Sequence, residues 1–186
     1  MTKIVMISGS LRAESTNSAM IRAAAASVAA CPGVDVEVVS VDEVPLFNED
    51  VEAMGDPFEV IALKRTVGSA DVLLICTPEY NASVPGVLKN ALDWLSRPSG
   101  ESVLTGMPVA TMSASTSGFG ARWAQDHLRS ILVDGIGAVL VDHEPVCIRK
   151  SDERVVDGML VDREALAEIR SLVATAVGTC LDAASA

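Results

Sequence analysis

The chain has 186 residues, with 14 Lys and Arg against 25 Asp and Glu for a formal charge of −11; 49% of it is apolar and only 3% aromatic. That apolar share excludes intrinsic disorder, and the length is enough for one domain over residues 1–186 to bury a core without metal or disulfide staples. The acidity argues against nucleic acid and anionic membranes as partners, since both are held by Lys and Arg, and leaves solubility as the role of the charge.

Strand-like and helix-like segments alternate along the chain. The apolar run 4–8 (IVMIS) is followed by a helical stripe over 17–31 that sets Met20, Ile21, Ala24, Ala25 and Val28 on one side. The run 36–41 (VEVVSV), broken by Glu37, reads as an edge strand. After a long segment at 42–56, a weaker stripe of Phe58, Ile61, Ala62 and Leu63 predicts a helix over 57–69. The run 72–77 (VLLICT) leads through Pro85, suited to a first helical turn, into a helix over 85–96 with Leu88, Ala91, Leu92 and Leu95 inward. The run 108–114 (PVATMSA) precedes a helix over 121–133 built on Ala124, Leu128, Ile131 and Leu132. A last run, 138–142 (AVLVD), and a second long segment, 143–162, lead to a helix over 163–181 carrying Leu166, Ile169, Val173, Ala176, Val177 and Cys180.

Spacing near 3.6 marks amphipathic helices, and near-continuous apolar runs mark strands buried on both faces of a parallel sheet. Five such alternations predict an α/β fold: a doubly wound five-stranded parallel sheet in the flavodoxin-like order 2-1-3-4-5, with helices on both faces. The two long segments, 42–56 and 143–162, have the length of lids or partner contacts. Four cysteines without a C-x-x-C pair, and two histidines, give a metal site or redox dithiol little to stand on. The strand-like start at Lys3 leaves no room for a basic leader and cleavage site, so the expected location is cytoplasmic.

In such a sheet a ligand sits beyond the carboxyl ends of the strands. Three loops fall there. The first, SGSLRAESTNS, sets Ser10, Arg12, Ser15, Asn17 and Ser18 around the start of a helix, where main-chain N–H groups and hydroxyls suit a phosphate monoester. It has no Lys, no P-loop, no G-x-G-x-x-G and no Cys ahead of Arg12, which excludes a nucleoside-triphosphatase and a cysteine phosphatase and weakens a dinucleotide site. The second, TPEYNASVPG, sets Pro78, Glu79, Tyr80 and Asn81 together; an aromatic plane beside amide and carboxylate groups suits a flat heterocycle. The third, MSASTSGFGAR, offers hydroxyls and the glycines 118 and 120 for close backbone approach. Trp94 is expected to be partly buried, Trp123 to pack, and His127 to be a satisfied, partly buried histidine. No G-x-S-x-G elbow points to a hydrolase.

Together these loops resemble the NADPH-dependent FMN reductase family, with its chromate, quinone and azo reductase relatives. GSLRAESTN at 9–17 is similar to the family's phosphate loop, and PEYNASVPGVLKNALDWLSR at 78–97 is similar, nearly position for position, to its second signature. The resemblance implies that Ser10, Arg12, Ser15, Asn17 and Ser18 hold the FMN phosphate, that Pro78, Glu79, Tyr80 and Asn81 line the isoalloxazine and ribityl side, and that Ser113, Ser115, Ser117 and Gly118 touch the flavin. Ser18 stands where relatives often carry a basic residue or Thr, and Ser115 and Thr116 stand where Pro-Gly is common. Arg97 becomes a candidate contact to the nicotinamide cofactor or to a neighbouring subunit, in a homodimer or homotetramer.

The implied activity is ping-pong hydride transfer from NADPH or NADH to bound FMN and on to a small acceptor: a quinone, azo compound, free flavin or metal oxyanion. The flavin carries the chemistry, so no catalytic side chain is expected. A flavodoxin-type electron carrier without its own NADPH site is the alternative, and a flavin-free interaction protein is a more distant one.

Overall fold

The computed structural model describes residues 1–29 and 31–183. Ala30, inside the helix expected over 17–31, and residues 184–186 of the expected domain lie outside the described residues.

The parallel sheet has the strand order β2-β1-β3-β4-β5. Its members are β1 (Thr2–Ser8), β2 (Val34–Val39), β3 (Val72–Thr77), β4 (Pro108–Ala114) and β5 (Val139–Leu140). Side chains alternate along each strand, which explains the continuous apolar runs. Ile4, Met6, Leu74, Cys76, Ala110 and Met112 bury one face against α1 (Thr16–Val28) and α7 (Arg163–Ala183). Val5, Ile7, Leu73, Ile75 and Val109 bury the other against α3 (Phe58–Gly68), α4 (Gly86–Leu95) and α5 (Arg122–Ser130). Burial of the Cys76 thiol pushes its pKa up, so it stays a neutral group in the first of these layers.

Three expectations need correction. The helix at 58–68 buries Val60, Leu63 and Val67, whereas Phe58 and Ile61 are exposed; the apolar stripe is offset from the one read off the sequence. The helix over 121–133 runs on as a π-helical turn, Ile131–Ile136, ended by Gly137 at φ 83°. The fifth strand is in two pieces. β5 pairs Val139 with Pro108, and β6 (Val146–Ile148) rejoins the same edge at Met112↔Val146; the Val141 N–H still donates to the Val109 carbonyl (3.0 Å), and the chain loops out over 142–145. Pro145 and the charged Asp142 and Glu144 make that stretch unsuited to the ladder.

Neither long segment is structureless. Within 143–162 lie β6, the short α6 (Ser151–Arg154) and a hairpin of β7 (Val155–Val156) with β8 (Met159–Leu160). Within 42–56 lies α2 (Glu49–Ala53), capped by Asn48. That segment is pinned to α4. Asn90 Oδ1 accepts from the Phe47 N–H (2.7 Å), and Asn90 Nδ2 donates to the Pro45 carbonyl (2.9 Å). The indole N–H of Trp94, fully buried rather than partly so, donates to the same carbonyl (2.8 Å). Arg97 closes the clamp on Glu52 with its Nε 3.0 and 2.9 Å from the two carboxylate oxygens, and these hydrogen bonds push its already high pKa further up.

Asn90→Ala leaves the Phe47 N–H without its acceptor at this partly buried site, a loss of about 1–3 kcal/mol. The expected reading is a lower urea midpoint with an unchanged slope.

Candidate functional site

β1, β3 and β4 are parallel, so their carboxyl ends deliver the three loops to one edge of the sheet. The first loop opens α1. Ser15 is the N-cap, its hydroxyl accepting from the Ser18 N–H at 3.3 Å. The Ser18 hydroxyl lies 3.0 Å from that of Ser8, and the Ser10 hydroxyl accepts from the Arg12 N–H at 3.4 Å. These contacts fix the bend and leave donors over. Among the described residues, the main-chain N–H groups of Thr16 and Asn17 have no acceptor, and the Arg12 guanidinium makes no ion pair. Free N–H groups at a helix start, beside an unpaired cation and several hydroxyls, fit a phosphate.

The Asn17 side chain is spoken for. Its Nδ2 donates to the Ala114 carbonyl (3.1 Å), its Oδ1 accepts from the Ala114 N–H (3.2 Å), and the Cys76 thiol donates to the same oxygen (3.1 Å). One amide hydrogen and the main-chain N–H remain for a ligand. Asn17 therefore braces the first loop against the ends of β3 and β4.

The second loop folds into a tight turn. Tyr80 and Ser83 exchange main-chain hydrogen bonds of 3.0 and 3.1 Å around Asn81 and Ala82, whose φ angles are 53° and 59°. Two successive left-handed residues define a type I′ turn. It leaves Asn81 and half of the Tyr80 ring exposed, with Pro78 buried behind. The Glu79 carboxylate accepts from the Ala124 N–H at 3.2 Å and so caps α5. His127, expected to be partly buried, is exposed and has Nδ1 2.9 Å from the Ser83 hydroxyl.

In the third loop Ser113 departs from expectation as a direct contact. It is fully buried, with Oγ 2.7 Å from both the Gly120 carbonyl and Gln125 Oε1. Its place on the inner face of β4 turns it toward α5, and it supports the loop from behind. Ser115 is half-buried and Ser117 and Gly118 are exposed, on either side of Thr116. The Ser115 hydroxyl accepts from the Ser117 N–H (3.1 Å), the Ser117 hydroxyl from the Phe119 N–H (3.3 Å), and among the described residues the Thr116 and Gly118 N–H groups are unpaired. Gly120 has φ 65°, and a Cβ there would stand 2.8 Å from the Cys147 carbonyl oxygen.

Arg12 lies between two clefts. One, of about 430 Å³, is bounded by Gly9, Leu11, Tyr80, Pro85 and Gly86; the other, of about 440 Å³, by Thr16, Thr116, Asp152 and Asp157. All three loops are thereby brought together. Arg97 is not: its guanidinium is held on Glu52 within the 42–56 segment. Two supports escaped the sequence reading. Gln125, fully buried, donates to the Thr111 carbonyl (3.1 Å) and accepts from the Cys147 thiol (2.9 Å), which burial keeps protonated by raising its pKa. Ser151, also fully buried, joins Thr16 Oγ1 (3.0 Å) to the Ser115 carbonyl (3.0 Å). A lone Gln or Ser carries no pattern; a helical position facing Thr111 is the one hint for Gln125.

The sequence profile of the NADPH-dependent FMN reductases matches residues 2–152. An NAD(P)H-dependent FMN reductase of Pseudomonas aeruginosa is 47% identical over 131 residues, covering 70% of this chain and 69% of that one. A 2-hydroxy-1,4-benzoquinone reductase of a Burkholderia species is 37% identical over 87% of both chains. Among solved structures, the flavoenzyme NAD(P)H:(acceptor) oxidoreductase FerB of Paracoccus denitrificans superposes with a TM-score of 0.85 at 27% identity over 98% of both chains.

Gly120→Ala meets both the left-handed backbone and the Cys147 carbonyl, and should cost about 2 kcal/mol or more. Thermal unfolding of the variant checks it.

Proposed function

The chain belongs to the NADPH-dependent FMN reductase family, and is an oxidoreductase of flavodoxin-like fold; from that premise we propose how its own residues serve the reaction. FMN and NAD(P)H are the cofactor and co-substrate of the family. The whole chain, 1–186, is one FMN-binding domain in this reading. Ser10, Arg12, Ser15 and Ser18, with the free N–H groups of Thr16 and Asn17, hold the phosphate. Pro78, Glu79, Tyr80 and Asn81 form the bed of the ring through main chain and the Tyr80 face, and Ser115, Ser117 and Gly118 close the opposite side. The observation that carries the reading is Arg12, unpaired and lining both clefts at the start of α1.

Bound FMN supplies two-electron chemistry, taking a hydride equivalent from NAD(P)H and passing it to an acceptor. The chain's part is to bind, orient and stabilise. The unpaired Thr116 and Gly118 N–H groups are fixed dipoles that favour negative charge beside the third loop at no cost of reorganisation. No side-chain acid or base is needed at the reacting atoms. With a quinone as acceptor, NAD(P)H and one proton are consumed, and NAD(P)⁺ and a hydroquinone are released, so both electrons are accounted for. Support for a quinone comes from relatives named for it, at 37–41% identity. Azo compounds, free flavin and metal oxyanions belong to the same acceptor range.

A homodimer or homotetramer is part of the proposal. Leu46, Met54, Phe58 and Ile61, all from one stretch of chain, are exposed and suit a second copy. Arg97, beside that stretch, then acts at the subunit contact by holding Glu52. A cytoplasmic setting is where NAD(P)H is supplied. Among the described residues no helix is long and apolar enough to cross a membrane.

Arg12→Ala removes a charge-assisted phosphate contact, worth roughly 10- to 100-fold in the FMN dissociation constant. Quenching of flavin fluorescence measures it, and an unchanged constant overturns the phosphate assignment. Anaerobic NADPH added to the purified yellow protein should bleach the flavin with no partner present. A flavin that stays oxidised would favour the electron-carrier reading instead.

A further inference from the structure

The chain has six aromatic residues, three Phe, two Trp and one Tyr. Three of them, Tyr80 (49% exposed), Phe119 (59%) and Trp123 (51%), stand in water around the ends of β3 and β4. Large aromatic surface left in water is the costliest to expose, and this chain places half of its supply there. The core has no need of Phe119 or Trp123, because α5 packs through Ala124, Gln125 and Leu128.

Their position follows from neighbouring bonds. Trp123 is in the first turn of α5. The N–H of the next residue, Ala124, donates to Glu79 of the second loop, and His127, four residues on and so on the same stripe, meets Ser83 of that loop. The stripe of Trp123 thus borders the Tyr80 turn. Gly120 and Ala121, at φ 65° and 60°, reverse the chain and bring the Phe119 ring back onto Trp123, with centroids 5.0 Å apart and a tilt of 36°. The result is a two-ring wall beside the Tyr80 turn, built by a left-handed pair and two loop-to-helix bonds. The cation of that turn, Arg122, lies 3.7 Å from Asp126 on the same helix, and the two rings themselves present apolar faces.

We propose that Phe119 and Trp123 form the acceptor side of the crevice and select flat aromatic acceptors of the quinone class over compact oxyanions. This rests on the flavin reading above and deepens it. A quinone ring gains an aromatic face and sheds water on entering, whereas a compact oxyanion loses hydration against two apolar ring faces.

The test uses the full chain loaded with FMN, as wild type, Trp123→Ala and Trp123→Phe. Equilibrium dialysis of 1,4-naphthoquinone against the oxidised protein gives its dissociation constant. Steady-state kinetics with NADPH compare naphthoquinone with ferricyanide, a compact anion. Trp123→Ala should raise both the dissociation constant and KM for naphthoquinone about three- to tenfold, and Trp123→Phe should restore most of the loss. The ratio of ferricyanide to naphthoquinone turnover should rise, and gel-filtration elution should not move. An unchanged naphthoquinone dissociation constant overturns the proposal. So does a parallel loss with both acceptors, which would mark a structural role, or a shift in elution, which would make the wall a contact between copies. If NADPH fails to bleach wild-type flavin, the reductase reading falls by itself, while the dialysis still reports on the rings.

Discussion

One buried carboxamide holds the functional edge of this protein together. Asn17 sits almost wholly out of water, and its side chain binds both main-chain groups of Ala114 while accepting from the Cys76 thiol. A polar group placed so deep is costly unless its capacity is used, and here it is nearly all used. The arrangement joins the start of α1 to the last residues of β3 and β4, so the three loops share one anchor. The cavities around Arg12 exist because those loops cannot drift apart.

Around that anchor the site is built in layers. Ser113, Gln125 and Ser151 are buried and turned away from the mouth; they fix the main chain of the third loop from behind. Glu79 and Ser83 tie the second loop to α5. What faces the two clefts is main-chain N–H, hydroxyls, one guanidinium and the Tyr80 ring, with the carboxylates of Asp152 and Asp157 in one of them. That is the surface expected of a protein that positions a cofactor and leaves the bond-breaking to it.

Much of this was legible beforehand because the signals are local. Apolar runs such as VLLICT mark strands covered on both sides, and the switch to helical spacing after each run set the parallel order. The first-loop hydroxyls and Arg12 could be read from composition alone, and the stretch 78–97 carries a family pattern. What escaped depends on distant partners. Nothing near Asn17 says that its amide faces Ala114, 97 residues away. Arg97 reads as a contact to the nicotinamide or to a neighbouring subunit, and its ion pair with Glu52, 45 positions earlier, is invisible to any short window. Phe58 and Ile61 fit a helical stripe, yet Val60, Leu63 and Val67 reach the sheet better. Trp123 was expected to pack, and only the left-handed pair at Gly120 and Ala121 shows why it meets Phe119 at the surface instead.

The broken outer strand has a consequence for how the molecule behaves in a crowded solution. A long, straight β5 would present a ladder of unclaimed amides and carbonyls to any other sheet. Here the margin is two short pieces, separated by a loop bearing Asp142, Glu144 and Pro145. Such a rim offers no continuous template for a foreign strand, and a proline and two carboxylates repel one that tries. The same interruption that spoils the ladder guards this edge of the sheet against growing sideways into fibres.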